Sequence, residues 1–319
     1  MPKESAGHSA ATPSGAGRFA PSPSGEMHIG NLRTAILAWI WARRTGRQFF
    51  IRIEDIDRER SGFADQQLAD LAAIGLDWDG DVIIQSQRRQ AHEEALLALI
   101  DSGQVFECYC SRRDIREAAS APHIPPGHYP GTCLDLPESE RHIRREKLAE
   151  SGRIPALRFQ FSQPTLTIND QLYGEYTGPV DHFVVRRNDG IPAYNLAVVV
   201  DDAFQGVDQV VRGDDLLSQS PAQAALASAL DLAIPTYIHV PLAVTSSGAR
   251  LAKRDGAATI ADLAALGWSV ADILQWIGES LGVDSARSSA DIYAALDIPA
   301  LQALSRDPWI VAPPSSPKN

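Results

Sequence analysis

Two short motifs contain side chains that could hold a triphosphate. The first is His-Ile-Gly-Asn at 28–31, which opens an apolar run with helical spacing. A helix N-terminus offers unpaired N–H groups and a partial positive charge to phosphate. His28 would add a donor, and Gly30 would let a flat ring or a backbone approach closely. Four isolated residues are more readily explained as a helix cap with a chance histidine.

The second phosphate motif is Gly-Ala-Arg-Leu-Ala-Lys-Arg-Asp-Gly at 248–256. Clustered cations in a loop bounded by glycines suit a mobile clamp, which neutralises charge as it develops on a triphosphate during nucleotidyl transfer. Taken alone, this stretch is better explained as a solvated basic turn.

Carboxylates follow a predicted strand in Arg-Ile-Glu-Asp-Ile-Asp-Arg at 52–58. Ligands of open α/β sheets bind at the carboxyl ends of strands. Carboxylates at that position could hold an ammonium group or a metal ion. The alternative is a charged turn, whose local ion pairs contribute little to stability.

The three cysteines of the chain all lie between Cys108 and Cys133. An odd number in one short window argues against a disulfide framework and favours a metal site in a reducing compartment. Thiolates are soft ligands that suit zinc. Three unrelated buried thiols are the structural alternative.

Composition limits the partners that these motifs could serve. The chain has 319 residues, 44% of them hydrophobic, and a net charge of −11. That charge argues against a protein that binds nucleic acid through overall positive charge, although a local basic groove remains compatible. Arg-His-Ile-Arg-Arg at 141–145 is a candidate patch, and a solvated helix face explains it at least as well.

The N-terminus and the apolar runs indicate a cytoplasmic protein. Residues 1–17 are rich in Ser, Ala and Gly and lack an apolar h-region, so they predict a disordered leader rather than a secretory signal. No apolar run is long enough to span a bilayer. We therefore expect a cytoplasmic protein with no membrane partner. We also expect it to be a monomer.

The order of predicted elements favours a parallel α/β sheet. A strand from Arg18 ends in a Pro- and Gly-rich turn, a helix follows and stops near Gly46, and residues 49–54 form a second strand. Strand, helix and strand open a parallel sheet.

Residues 108–192 interrupt this pattern, because they are rich in Pro, Gly and His and contain only short strand-like pieces. They predict a subdomain inserted between two halves of an α/β domain, 18–107 and 193–258. Residues 259–307 are predicted to be helical, and 308–319 to be a loose tail.

In combination, the motifs strongly resemble the glutamyl-tRNA synthetases. Arg-Phe-Ala-Pro-Ser-Pro-Ser-Gly at 18–25, followed by the motifs at 28–31 and 52–58, resembles the opening of that family. Tyr-Asn-Leu-Ala-Val-Val-Val-Asp-Asp at 194–202 and Val-Arg-Gly-Asp-Asp-Leu at 211–216 resemble a later block. Leu-Ala-Lys-Arg at 251–254 stands where the family carries its lysine-serine loop. The resemblance runs in order from Arg18 to about Gly282.

That resemblance implies a Rossmann-type class I aminoacyl-tRNA synthetase catalytic domain. It further implies that the inserted subdomain is acceptor-binding-like and carries zinc, and that the short C-terminal helical region contacts a tRNA stem.

One branch of the family, the glutamyl-queuosine tRNA(Asp) synthetases, is the most similar. The chain ends soon after the lysine loop, which leaves no room for an anticodon-binding domain, and Ala-Pro-Ser-Pro is the glutamyl form of the first block. The cysteine pattern resembles the zinc site of that branch, which implies one structural zinc ion held by Cys108, Cys110, Tyr129 and Cys133. His123 and His128 are the conventional alternatives to the tyrosine.

The chain departs from the family signatures at two positions. Asn31 stands where histidine is commoner, which removes one phosphate-facing imidazole but keeps a donor. Ala252 replaces the signature serine, so that Lys253 is the one clear signature lysine, with Arg250 as a substitute for the other. These departures bear on the rate more than on the reaction.

The resemblance also implies roles for single side chains. Arg18 and Ser22 should line the amino-acid pocket, Glu54 should bind the substrate ammonium, Tyr194 should hydrogen-bond the substrate, and Arg212 should pair with a second carboxylate. Two arginines and one acid match glutamate, whereas glutamine would leave one arginine unpaired at a cost of about 1–3 kcal/mol or more.

ATP should be bound by His28, Gly30, Asn31 and Lys253, with Mg²⁺ on its phosphates; His28, Asn31 and Lys253 would be catalytic. The implied reaction is an ATP-dependent ligation that forms glutamyl-adenylate without tRNA. Glutamate then passes to queuosine at the wobble position of tRNA(Asp). The alternatives are a truncated glutamyl-tRNA synthetase that charges a tRNA 3′ end, and a non-catalytic tRNA- or metal-binding paralogue.

Overall fold

A computed structural model describes residues 15–57, 60–111, 113–115, 129–249, 251 and 258–311. The alternative zinc ligands His123 and His128, and the lysine-loop residues Arg250, Ala252 and Lys253, lie outside this part of the chain. No helix within the described residues is long and apolar enough to cross a membrane.

The strands are listed here in chain order: β1 (Ala16–Phe19), β2 (Gln48–Ile53), β3 (Ile83–Ile84), β4 (Val105–Cys108), β5 (Ala156–Phe159), β6 (Thr165–Asp170), β7 (Gly174–Pro179), β8 (Val184–Arg186), β9 (Val207–Gly213), β10 (Thr236–Val240), β11 (Ala243–Val244) and β12 (Trp309–Ile310). The helices are α1 (Ile29–Arg44), α2 (Phe63–Ala73), α3 (Arg89–Asp101), α4 (Glu138–Ala149), α5 (Tyr194–Phe204), α6 (Ser220–Ala229), α7 (Ile260–Ala265), α8 (Val270–Glu279), α9 (Ser289–Ala295) and α10 (Ile298–Gln302).

Seven strands form the central sheet, in the order β3-β2-β1-β9-β10-β6-β7. Each neighbouring pair is parallel except the β6–β7 hairpin. The carboxyl ends of β1, β2 and β9 therefore meet at one edge of the sheet, where α/β folds place their ligands. This topology confirms the predicted Rossmann-type α/β class.

Helix α1 covers the sheet and crosses between β1 and β2. The side chains that predicted it, Leu32, Ile36, Leu37, Ile40 and Trp41, are all buried in the main core. The chain then reverses at Gly46, whose φ of +68° is readily adopted only without a Cβ.

The inserted segment does not lie apart from the catalytic sheet. Strands β4, β5 and β8 form a small antiparallel sheet of their own, but β6 pairs with β10 and extends the central sheet. The pairing aligns Asp170 with Tyr237. The sequence did not predict that β6 joins the central sheet. Alternating residue types can mark β6 as a strand, but they do not indicate which strand it pairs with.

The ends of the described chain are more ordered than the sequence predicted. Ala16 and Gly17 belong to β1 and not to a leader that extends to residue 17. Trp309 and Ile310 form β12 beside β11, whereas the sequence predicted a loose tail from residue 308. Both errors have the same cause. These short strands are stabilised by pairing with distant parts of the chain, so their own sequence shows no periodicity that predicts them.

The C-terminal helices pack on α1 through two arginines. Arg33 donates to the hydroxyl of Ser280 at 3.0 Å and to the carbonyl of Pro241 at 2.9 Å. Arg44 donates to the carbonyls of Tyr293 and Leu296, near the end of α9. These bonds and the shared apolar core fix the helical region against the first helix of the nucleotide fold.

Candidate active site

The sheet edge brings together the side chains that the resemblance assigned to the amino-acid pocket. Arg18 lies in β1, Glu54 follows β2, Arg212 lies in β9 and Tyr194 begins α5. The turn after β1 is tied to β2 by a hydrogen bond of 2.9 Å from the Glu54 N–H to the Pro21 carbonyl.

Arg18 is held by a carboxylate that the sequence did not single out. Its Nε and Nη2 donate to the two oxygens of Asp202 at 3.1 and 3.3 Å, and Nη1 donates to the carbonyl of Val211. One edge of the guanidinium fork is thus already occupied. A substrate carboxylate could approach only the other edge.

Asp202 also binds Arg52, so that two cations and two carboxylates form one buried network. Arg52 donates to Asp202 at 2.7 Å and to Glu54 at 3.0 Å and is fully buried. Burial raises the pKa of Asp202, but the charges of Arg18 and Arg52 outweigh burial and leave that pKa below its usual value. For Glu54 burial prevails over the same two arginines, and its pKa is raised.

Arg212 is buried among neutral groups. Its Nε donates to His239 Nε2 at 3.1 Å, Nη1 to Gln223 Oε1 at 2.7 Å, and Nη2 to Ser220 Oγ at 2.7 Å and to the carbonyl of Leu216 at 3.4 Å. No carboxylate forms an ion pair with it among the residues that the structure describes. Burial lowers its pKa. Within the described part of the chain, the pocket therefore contains a buried positive charge without a direct counter-ion.

Tyr194 lies in the same electrostatic environment. Burial and the nearby charge of Glu54 raise the pKa of its phenol to about 12. The phenol therefore stays protonated and can donate a hydrogen bond. Ser22 differs from these residues because it is exposed, and its carbonyl accepts a hydrogen bond from Gln67 at 3.1 Å.

The N-terminus of α1 is closed by a reciprocal cap. Nδ1 of His28 accepts from the backbone N–H groups of Gly30 and Asn31 at 3.1 and 3.4 Å, and Asn31 Oδ1 accepts from the His28 N–H at 3.1 Å. Because Nδ1 accepts, the hydrogen lies on Nε2, which can donate. Asn31 uses its oxygen in the cap, so its amide nitrogen is the donor available to a ligand.

Gly30 leaves room for the packing of neighbouring residues as well as for the close approach of a ligand. A Cβ at this position would lie 2.8 Å from the Cβ of Ala243 in β11 and 3.1 Å from the His28 ring. Strand β11 thus approaches the helix N-terminus closely.

The lysine loop begins and ends near the same helix. Leu251 is buried in the main core, and after the loop Ala258 accepts from the Ile29 N–H at 3.0 Å. Thr259 forms a β-bridge with His28. The described flanks of the loop are therefore fixed next to the proposed phosphate site, while Lys253 lies outside the described residues.

The three cysteines converge at the end of β4. Their sulfur atoms lie within 4.8 Å of one another, and they form no disulfide. Tyr129 Oη lies 3.6 Å from Cys108 Sγ and accepts from the Cys133 N–H at 2.9 Å. Three soft thiols and a phenol oxygen, of which only Cys110 is partly exposed, form one cluster that fits a tetrahedral zinc ion.

The basic run at 141–145 lies on the exposed helix α4 and is largely neutralised. Arg144 pairs with Glu140, and Arg145 pairs with Glu107 and Glu138. These ion pairs favour the solvated helix face over an open basic patch.

Sequence reasoning missed the residues that hold the pocket arginines. Asp202 carried a usable signal, since a carboxylate at the end of an apolar helical run requires a buried partner. Gln223, Ser220, His239 and Asp170 carried none, because their relation to Arg212 depends on the pairing of distant strands.

Comparison with known proteins establishes the family. A family model described as the catalytic domain of class I tRNA synthetases (E and Q) matches residues 16–279. The chain belongs to this family. It is therefore an ATP-dependent aminoacyl-tRNA ligase whose substrates are ATP, an amino acid and a tRNA.

Relatives of this class I synthetase confirm the predicted branch. The chain is 55% identical to a glutamyl-Q tRNA(Asp) synthetase of Nocardia farcinica over 95% of this chain and 94% of that protein. It is 46% identical to one of Cutibacterium acnes, over 84% and 76% respectively. A glutamate tRNA ligase of Elizabethkingia meningosepticum, solved with its amino acid, shares the fold with a TM-score of 0.77 at 22% identity, covering 93% of this chain and 67% of that one.

Proposed function

We propose that the enzyme activates glutamate with ATP, without tRNA, and then transfers it to queuosine at the wobble position of tRNA(Asp). The proposed glutamate ligands are Arg18, Ser22, Glu54, Tyr194 and Arg212, and the proposed ATP ligands are His28, Gly30, Asn31 and Lys253.

The proposed reaction has two displacements. A glutamate carboxylate oxygen attacks the α-phosphorus of ATP, which forms an acyl–phosphate bond and releases pyrophosphate. A queuosine hydroxyl then attacks the acyl carbon and releases AMP. Neither step needs a protein nucleophile, so the side chains act by positioning and by stabilising charge. Mg²⁺ bound with ATP would neutralise phosphate charge.

The buried charge of Arg212 is the observation that carries the choice of glutamate. A guanidinium surrounded by neutral partners favours a ligand that brings a negative charge to it. Glutamate has two carboxylates and one ammonium group, which match Arg18, Arg212 and Glu54. Glutamine would leave Arg212 without a charged partner.

Independence from tRNA is supported by the contacts that fix the pocket. Asp202 holds Arg18 and Arg52, and the groups around Arg212 come from β10, α6 and the turn before α6. All these contacts lie within the chain. These contacts within the chain support a pocket whose arginines do not need a nucleic acid to hold them.

The queuosine acceptor is supported by the relatives named glutamyl-Q tRNA(Asp) synthetase. Zinc, held by Cys108, Cys110, Tyr129 and Cys133, would order the inserted segment and not take part in the chemistry. A site with four protein ligands has no open position for a substrate.

The acceptor can be tested with labelled glutamate, ATP and tRNA(Asp) that contains or lacks queuosine. We expect label only on the queuosine-containing tRNA, and nuclease digestion should assign it to the anticodon fragment. Label in the 3′-terminal fragment would instead favour a truncated synthetase of the ordinary kind. A protein that binds tRNA without transferring label would favour a non-catalytic paralogue.

A further inference from the structure

Behind Arg212 lies a buried chain of hydrogen bonds whose other members, Asp170 and His239, belong to none of the recognised motifs. It runs from Asp170 in β6 to His239 in β10 and then to Arg212 in β9. Asp170 Oδ2 accepts from His239 Nδ1 at 2.7 Å, and His239 Nε2 lies 3.1 Å from Arg212 Nε. Asp170 and His239 are almost completely shielded from solvent.

Asp170 is itself fixed by the backbone. Its Oδ2 also accepts from the His239 N–H at 3.0 Å, and Oδ1 accepts from the N–H groups of Leu172 and Tyr173 at 2.9 and 2.8 Å. Each carboxylate oxygen thus accepts two hydrogen bonds. The inserted segment contributes this fixed carboxylate because β6 joins the central sheet at Tyr237.

The pattern assigns the tautomer of His239. The carboxylate of Asp170 can only accept, so Nδ1 carries the hydrogen, and the guanidinium of Arg212 can only donate, so Nε2 accepts. Burial lowers the pKa of His239, and the charge of Arg212 acts in the same direction, while Asp170 and Asp214 oppose it. The neutral imidazole is therefore the form that satisfies both neighbours.

We propose that Asp170 and His239 are positioning residues that aim Arg212 at the second carboxylate of glutamate and so set the discrimination against glutamine. The proposal rests on the proposed role of Arg212. His239 binds Arg212 through a neutral acceptor and leaves its positive charge to the substrate, whereas a carboxylate at the same place would neutralise that charge. Gln223 and Ser220 hold the two terminal nitrogens in the same way.

Two substitutions separate this role from a general contribution to packing. Both His239→Asn and His239→Gln remove a buried imidazole. Gln can place an amide oxygen near the former Nε2, facing Arg212, whereas Asn reaches only the former Nδ1 position, facing Asp170. Glutamate-dependent ATP–pyrophosphate exchange on the full chain then reports KM for glutamate, KM for ATP and kcat.

For His239→Asn we expect KM for glutamate to rise about tenfold or more, the loss typical of one hydrogen bond to a charged group. KM for ATP should stay within about twofold of the wild-type value. The preference for glutamate over glutamine should fall by about the same factor as KM for glutamate rises. His239→Gln should lie within about threefold of the wild type in all three quantities. If His239→Asn does not fold, Asp170→Asn replaces it with the same expectation, because an amide nitrogen cannot replace either accepting oxygen and His239 then loses its fixed anchor.

Equal behaviour of the Asn and Gln variants, or a loss confined to ATP, would overturn the positioning role. Arg212→Met provides the separate test of the proposed function. If Arg212→Met leaves KM for glutamate unchanged, the assignment of Arg212 is wrong. If Arg212→Met raises that KM while His239→Asn and Asp170→Asn do not, only the present inference is wrong.

Discussion

The guanidinium of Arg158 lies over the ring of Tyr129, with its central carbon 3.8 Å from the ring centroid. Arg158 is buried and donates from Nη1 to the carbonyl of His182 at 2.6 Å. Its Nε has no hydrogen-bond partner within the described part of the chain. A buried cation therefore stands directly beside the residues proposed to bind zinc, a set in which three thiolates outweigh the charge of the metal ion.

Removal of that cation should weaken metal binding. In Arg158→Met the negative charge of the metal site would lose its buried counter-charge, and we expect zinc affinity to fall about 10–100-fold. Arg158→Lys keeps the positive charge and should lose less zinc affinity than Arg158→Met. Competition with a chromogenic chelator measures both. Equal affinities in wild type and Arg158→Met would contradict the role of the charge.

Zinc should be structural and separate from the adenylation chemistry. The purified protein should contain about one zinc ion per chain, the number that one such ligand set can hold. Cys110→Ser should lower thermal stability and weaken transfer to tRNA while glutamate adenylation remains largely intact, because the cysteines lie at the end of β4, in the small antiparallel sheet, and not at the carboxyl ends of the central strands. Thr132→Ala, at an exposed residue next to Cys133, is the matched control. A zinc-free protein, or a folded Cys110→Ser variant without adenylation, would refute this assignment.

Lys253 should act on the transition state more than on bound ATP. Lys253→Ala is expected to lower kcat and kcat/KM together by roughly 100-fold or more, by analogy with the loss of an oxyanion donor. Ser247 is exposed and lies just before the same loop, and Ser247→Ala should change neither kcat nor kcat/KM. A mutant with normal kcat and only a raised KM for ATP would show that Lys253 contributes ground-state binding.

The buried network of Asp202 should make stability depend on pH. The pKa of Asp202 is lower in the folded state than in the unfolded state, where it is about 3.9. The contribution of Asp202 to folding stability is therefore complete above the unfolded-state pKa and is lost as the pH falls through the folded-state pKa. Asp202→Asn should therefore cost about 3–5 kcal/mol of unfolding free energy at neutral pH. Urea titrations should show this deficit shrinking in acid; a deficit that does not change with pH would contradict the ion-pair account.

The sequence predicted the parts of the fold that have local patterns. Helix α1 was evident from the spacing of Leu32, Ile36 and Trp41, and the parallel sheet followed from the order of strands and helices. Strand β12 and the pairing of β6 with β10 were missed, because both depend on residues far apart in the chain.

The same division applies to the candidate site. The sequence motifs predicted Arg18, Glu54 and Arg212 as site residues, and the structure places all three at one edge of the sheet. No motif indicated that Asp202 would occupy one edge of Arg18, or that His239 would hold Arg212, since both partners come from distant elements. Local sequence thus predicts which charges serve the site, and tertiary pairing decides how those charges are held.

Glutamate-dependent ATP–pyrophosphate exchange, measured with purified enzyme in the absence of tRNA, tests the central claim most directly. We predict exchange with glutamate, little or none with glutamine, and no requirement for added tRNA(Asp). Exchange that appears only when tRNA is added, or no exchange with glutamate under any condition, would contradict the account.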